Sequence, residues 1–272
     1  MKILSLLTFI IVLLAACSPN NVDEDPSLKK YFDEQKVTGT FGLFDNARGK
    51  FSIYELKKFK DSTYLPASTF KIVNSLIGLE IGRVKDDSTI FKWDPNYRFM
   101  VEACNGDLPM FRAFRMSCVP WFQTLARMIG KDTMQKWIDT LGYAQRYKKP
   151  IIGKVDSFWL DNSIKVTADE QLGLVKRLYF QQLPFQPRTQ RIVKSMMLME
   201  DNSNYQLSYK TGWAHIENNH SIGWIVGWIE ENRHPYFFAL LTESPDPNAD
   251  PALRLKILKN ILKQYGFFEG KK

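Results

Sequence analysis

The stretch Pro66-Ala67-Ser68-Thr69-Phe70-Lys71-Ile72-Val73-Asn74-Ser75-Leu76-Ile77-Gly78-Leu79-Glu80 reads as a helix with a serine at its mouth and a lysine one turn behind it. Pro66 fixes the entry and cannot extend a helix backwards, while Ile72, Val73, Leu76 and Leu79 recur at helical spacing as a stripe to be buried. Residues three apart on a helix are neighbours, so the Lys71 amine reaches the Ser68 hydroxyl. The free N–H groups of the first turn point where an oxyanion would develop. A lysine serves as a base only when its ammonium is neutralised, by an apolar wall and a helix N-terminus or by chemical modification. Ser-x-x-K alone also describes a capping serine and a solvated lysine, so the weight falls on what accompanies it.

Outward from this helix, Thr40 to Phe44 ends in the turn signal Asp45-Asn46 and is followed by Phe51 to Tyr54, an expected antiparallel hairpin. Leu125 to Leu141, Ala168 to Gln181 and Arg191 to Met199 read as helices. The period then switches. Leu207 to Gly212, Ser221 to Ile229 and Tyr236 to Thr242 read as strands of a meander with turns at Asn218-Asn219 and Glu231-Asn232-Arg233, and Pro251 to Tyr265 closes the chain as an amphipathic helix. Strands at both ends with helices between them predict an α+β fold, an α/β sandwich. Its antiparallel sheet is assembled from the N- and C-terminal segments and flanked by helices, with a mostly helical region inserted at about 80–200.

Three further pieces are informative. Ser117-Cys118-Val119 places a serine and an apolar residue two apart, in what reads as an extended turn. Lys210-Thr211-Gly212-Trp213 lies on the first late strand, with Lys210 on one face and Gly212 permitting close backbone approach by a ligand. Phe158-Trp159-Leu160 is an apolar segment that by itself reads as core. Taken in order with Pro66 to Glu80 and with Phe91-Lys92-Trp93-Asp94, these motifs resemble those of the class D, oxacillinase-type, serine β-lactamases, from about Gly39 to the last helix.

The resemblance implies a serine β-lactamase/penicillin-binding-protein-like fold and hydrolysis of β-lactams such as penicillins and oxacillin through a Ser68 acyl-enzyme. Lys71 would be carboxylated on its amine and act as general base for acylation and deacylation, with no separate cofactor. Only a neutral amine reacts with carbon dioxide, so a pocket walled by Val119, Trp159 and Leu160 favours that modification. The Trp159 indole N–H would hold the carbamate. Ser117 would pass a proton to the leaving nitrogen, and Lys210, Thr211 and Arg254 would face the substrate carboxylate. The N–H groups of Ser68 and Trp213 would bind the oxyanion. Tyr143 is carried over as a pocket residue, but Tyr143-Ala144-Gln145 departs from the family's usual Tyr-Gly-Asn, which puts the local loop conformation in doubt. Two other readings keep the scaffold and change the function: a β-lactam sensor that acylates without deacylating, and a penicillin-binding peptidase. The sensor's usual long membrane-embedded N-terminal region is not matched here, and the Phe158-Trp159-Leu160 segment argues against the peptidase.

Composition narrows the field. With 272 residues, 44% of them hydrophobic, the chain can bury a full core. Its net charge of +8 is spread without a dense basic run, which gives nucleic-acid binding little support. Its three histidines, His215, His220 and His234, show no ligand pattern, so a metalloenzyme is poorly supported. Residues 1–16 carry one basic residue and then a charge-free run from Ile3, too short to span a bilayer comfortably and read as an export signal. Leu14-Ala15-Ala16-Cys17 resembles a lipobox, which implies a lipidated Cys17, attachment to a membrane and a periplasmic, oxidising location. Residues 17–30 are expected as a tether and 31–272 as the domain. Cys104 and Cys118 can form a disulfide in that compartment or remain two small buried thiols.

Overall fold

The computed structural model describes residues 21–96, 98–146, 148–216 and 220–272. The leader, the Cys17 position and the Asn218-Asn219 turn lie outside the described residues. The strands are β1 (Val22–Glu24), β2 (Thr38–Asp45), β3 (Lys50–Tyr54), β4 (Ile90–Phe91), β5 (Leu108–Pro109), β6 (Leu198–Asp201), β7 (Gln206–Ile216), β8 (His220–Glu231) and β9 (His234–Ser244). The helices are α1 (Lys29–Asp33), α2 (Leu56–Asp61), α3 (Lys71–Glu80), α4 (Met110–Arg115), α5 (Val119–Ile129), α6 (Lys131–Leu141), α7 (Ala168–Tyr179), α8 (Pro187–Met196) and α9 (Leu253–Gln264).

Seven strands form one sheet in the order β1-β3-β2-β9-β8-β7-β6, and β4 and β5 pair separately in the inserted region. All neighbours in the large sheet are antiparallel except β1 and β3, so the sheet is mixed rather than purely antiparallel. That parallel edge corrects the expected tether: Val22 to Glu24 pair with Phe51 to Ile53, and Leu28 is fully buried. The hairpin, the meander and the closing helix stand where the sequence places them.

Both faces of the sheet are covered, because successive side chains of a strand point to opposite sides. On β8, Trp224, Val226 and Trp228 join the large core made with the inserted helices, while Ile225 and Ile229 join a second core under α1 and α9. On β9, Phe237, Ala239 and Leu241 divide from Phe238 and Leu240 in the same way. The central helix α3 is buried from Lys71 to Leu79, which explains its nearly uniform apolar composition.

Three local expectations are corrected. The helix expected over 125–141 begins at Val119 and is broken by Gly130, whose φ of 84° ends α5 and starts α6. The helix expected over 191–199 is instead Pro187–Met196, opened by a proline at its first position, and Leu198–Asp201 pairs as β6. Ser117 sits in no extended turn, and its geometry is described below.

Candidate active site

Ala67–Phe70 is a single 3-10 turn that runs directly into α3 at Lys71. Ala67 holds a positive φ of 49°, and its N–H donates to the Trp159 carbonyl at 3.1 Å, so the segment before the serine is clamped to the Phe158-Trp159-Leu160 loop. From the sheet side, the Trp224 indole donates to the Leu65 carbonyl at 3.0 Å. Ser68, 8% exposed, is thereby held at the inner end of a cleft, with Lys71 Nζ 2.7 Å from its Oγ.

The Lys71 amine is fully buried and has no carboxylate partner among the described residues. The Phe122 ring lies 5.5 Å from it, and Phe70 stacks on Trp159 at 5.3 Å between centroids. Removal from water penalises the ammonium, and its pKa drops from the ordinary lysine value to about 7. Near neutral pH much of the amine is therefore uncharged. The Trp159 indole N–H is buried in the same aromatic shell and has no partner among the described residues, which is costly unless something accepts from it. Leu160 and Val119 are half-buried, the latter as the first residue of α5.

Ser117 reaches the site from 93 residues away from its partner: Lys210 Nζ lies 3.0 Å from Ser117 Oγ and also donates to the Thr211 carbonyl at 2.9 Å. Ser117 has φ 61°, with its N–H on the Phe114 carbonyl and the Cys118 N–H on the Ala113 carbonyl. This paired bonding at a left-handed residue just past α4 is the pattern that usually ends in glycine. Lys210 is 2% exposed, and burial first, then repulsion from Lys71 and Arg254, holds its pKa well below the usual lysine value.

The strand β7 supplies the opposite wall. β6 pairs with it only as far as Ser208, so from Lys210 onward its outer edge has no paired strand among the described residues. Gly212 faces the Ser68 turn, where an added Cβ would lie 3.1 Å from the Pro66 carbonyl oxygen and 3.3 Å from the Thr69 nitrogen. Strand alternation puts Thr211 and the half-buried Trp213 on the other face, the side of α9. There Arg254 crosses Gly223, whose added Cβ would meet the arginine Cδ at 3.1 Å. Arg254 is 9% exposed, its Nε and Nη1 find no partner among the described residues, and desolvation lowers its pKa to about 10. A buried guanidinium with unpaired donors is costly unless something accepts from it, so Arg254, close enough to Lys210 to repel it, is suited to an anion.

Residues 29–263 match the family described as penicillin binding protein transpeptidase domain. Beta-lactamase OXA-48 of Klebsiella pneumoniae is 39% identical over 242 residues, spanning 89% of this chain and 88% of that protein. The chain belongs to the class D serine β-lactamases. Among solved structures, FUS-1 (OXA-85), a class D β-lactamase from Fusobacterium nucleatum, superposes with a TM-score of 0.84 at 32% identity, covering 92% of this chain and all of that one. The C-terminal domain of the Bacillus licheniformis BlaR penicillin-receptor superposes equally well, with a TM-score of 0.85 at 27% identity over 93% of this chain and all of that one.

Within this class D chain the motif residues divide by position. Ser68, Lys71, Ser117 and Lys210 form two direct serine–lysine contacts, Trp159 lies in the apolar shell behind them, and Thr211 to Trp213 and Arg254 flank the strand edge. Tyr143 is removed from the open cleft: it is buried with its ring 5.8 Å from Phe70, backing the wall rather than lining the opening. The doubt over its loop is answered by Ala144, which adopts the positive φ of 60° that glycine would supply, while the Gln145 side chain donates weakly to the Asp139 carbonyl at 3.4 Å. Phe70 and Phe122 were not picked out from sequence. Phe70 stands inside the Ser-x-x-Lys motif and Phe122 one helical turn after Val119, so helical spacing could have found both. Gln171, which donates to Thr69 Oγ1 at 2.6 Å, carried no signal in sequence.

Proposed function

We propose that this protein hydrolyses β-lactam antibiotics of the penicillin and oxacillin type, and so confers resistance to them. The observation that carries the reading is the buried, carboxylate-free Lys71 amine 2.7 Å from the Ser68 hydroxyl. Ser68 Oγ attacks the lactam carbonyl, the carbonyl carbon–nitrogen bond breaks, and Ser117, in contact with Lys210, delivers the proton to the leaving nitrogen. The N–H groups of Ser68 and Trp213 receive the oxyanion, and Lys210, Thr211 and Arg254 bind the substrate carboxylate. Water then attacks the acyl ester and releases the product acid.

The residues around Lys71 fit a carbamate on its amine. A neutral amine is what carbon dioxide requires, and the unpartnered Trp159 indole N–H is a donor suited to an added carboxylate. When present, that group supplies the general base for both acylation and deacylation. Lipidation at Cys17 and attachment to a membrane on its periplasmic face extend the reading. The charge-free run before Leu14-Ala15-Ala16-Cys17 and the Cys104–Cys118 bond support such an oxidising location.

The likeness to the BlaR domain favours one competing reading, a sensor that acylates and stops. Intact mass and lactam absorbance followed together with excess benzylpenicillin separate the two. We expect a transient adduct and many turnovers per protein, and rescue by bicarbonate after carbon dioxide has been stripped at low pH. A stable one-to-one adduct with no further loss of drug would establish the sensor and remove the deacylating role of Lys71.

A further inference from the structure

Resting on the hydrolase reading, the structure assigns the Cys104–Cys118 disulfide a positioning role: it holds the Ser117 hydroxyl where proton delivery requires it. The bond joins residue 118, immediately after the serine, to the end of the short 3-10 turn Glu102–Cys104 in the inserted region, with the two Cα atoms 5.5 Å apart.

Ser117 needs such support because its backbone is in a region that disfavours side chains. A residue with a Cβ is strained in the left-handed region, and glycine would avoid that strain but lack the hydroxyl. The corner is also short. α4 ends at Arg115 and α5 begins at Val119, so Ser117 and Cys118 must turn the chain between two helices while the serine stays 3.0 Å from Lys210 Nζ. On the α4 side, the two backbone bonds from Ser117 and Cys118 fix the turn. On the α5 side, Cys118 is the residue before the helix and makes no side-chain cap, and its side chain is committed to the disulfide. Cys118 is 1% exposed and Cys104 5% exposed, yet Cys104 also lines a cavity of about 430 Å3 with Trp121 and Phe91, a route by which a small reductant reaches the bond. Trp121 stacks on Phe91 and donates its indole N–H to the Leu108 carbonyl at 3.0 Å, so the inserted region that carries Cys104 is itself anchored to α5. The bridge therefore ties the serine's corner to a segment whose flanking strands contact α5 through Trp121.

The test is a double-mutant cycle on the full chain with Cys104→Ala and Ser117→Ala, measuring kcat/KM for benzylpenicillin alongside melting temperature. A misplacement on the order of 1 Å in a reacting group costs up to about a hundredfold, so we expect Cys104→Ala to lower kcat/KM about tenfold when Ser117 is present. In the Ser117→Ala background we expect Cys104→Ala to change it less than about twofold, since non-additivity marks residues that act through one another. Reduction of the parent protein, checked by circular dichroism to remain folded, should give the same loss, and reoxidation should restore the rate. Equal losses with and without the Ser117 hydroxyl would overturn the proposal and leave a purely structural bridge, as would an unchanged rate on reduction. If the oxidised parent does not turn over the drug at all, the hydrolase reading falls and the proposal with it; turnover with an additive cycle sinks the proposal alone.

Discussion

Two buried lysines each sit against a serine in this cleft, and they differ in how the contact is made. Lys71 meets Ser68 three residues away through helical geometry, whereas Lys210 meets Ser117 only because β7 and the corner between α4 and α5 are brought together by the fold. Their electrostatics differ too. Desolvation alone lowers the pKa of Lys71, while Lys210 is also repelled by Lys71 and by Arg254. The first pair is thus set to exchange a proton near neutrality. The second lies close enough to Arg254 to be repelled by it. Similar contacts serve different chemistry because their surroundings differ.

The largest expected effect breaks the first pair. Lys71→Ala should lower kcat at least about a thousandfold, the scale seen when a member of a nucleophile–base unit is removed. In the parent, turnover should fall as pH drops through about 7, because protonation removes both the neutral amine and its capacity to take up carbon dioxide. Lys71 serves turnover but costs stability, and both improve as pH rises. The folded-state pKa lies below the unfolded one, so the unfolded chain binds more protons between about 7 and the ordinary lysine value, and burial of Lys71 costs most below about 7. Lys71→Met should therefore be more stable than the parent at pH 6, with the difference shrinking as pH rises above 7, as read by denaturant midpoints. A variant that hydrolyses penicillin at the parent rate would remove Lys71 from the mechanism.

A smaller effect sharpens the contrast from the other side. Repulsion from Arg254 helps to lower the pKa of Lys210, whereas burial is what lowers that of Lys71, so loss of Arg254 should fall on substrate binding. Arg254→Ala should raise KM roughly ten- to a hundredfold with a smaller change in kcat, matching the loss of a charge-assisted hydrogen bond. Arg254→Lys should recover little, since a lysine has no planar fork to offer a carboxylate. An equal fall in kcat with KM unchanged would place Arg254 in the chemical step instead.

The contrast also explains what could be read from sequence. The Ser68–Lys71 pair, the late meander and α9 follow local periodicities, so spacing alone located them. Ser117, Trp159, Lys210 and Arg254 came only from resemblance, because their partners lie on other elements and nothing within Ser117-Cys118-Val119 announces a left-handed residue that also joins a disulfide. The breaks at Gly130 and Pro187 were available as punctuation but were overridden by the apolar spacing around them. The edge strand Val22–Glu24 was hidden because a short, polar, half-covered strand gains its partner at long range, through β3.

The smallest expected effect tests whether the wall behind the first pair can be relaxed without disturbing either lysine. Ala144 has φ 60°, and no glycine offsets the crowding of its Cβ there. Ala144→Gly removes that strain but loosens the unfolded chain, and the two effects oppose one another. Strain of about 1–2 kcal/mol against an entropic loss of about 0.4–1 kcal/mol leaves a net gain between about 0 and 1.6 kcal/mol, at most a small rise in melting temperature. Tyr143, its neighbour in the chain, touches Phe70, which stacks on Trp159 behind the first pair. Turnover unchanged in Ala144→Gly would show that the strain is local to the loop. A shift in the acid limb of the pH profile would instead show that Tyr143 and Phe70 transmit the loop's conformation to the Lys71 amine, so that the first serine–lysine pair is coupled to the loop.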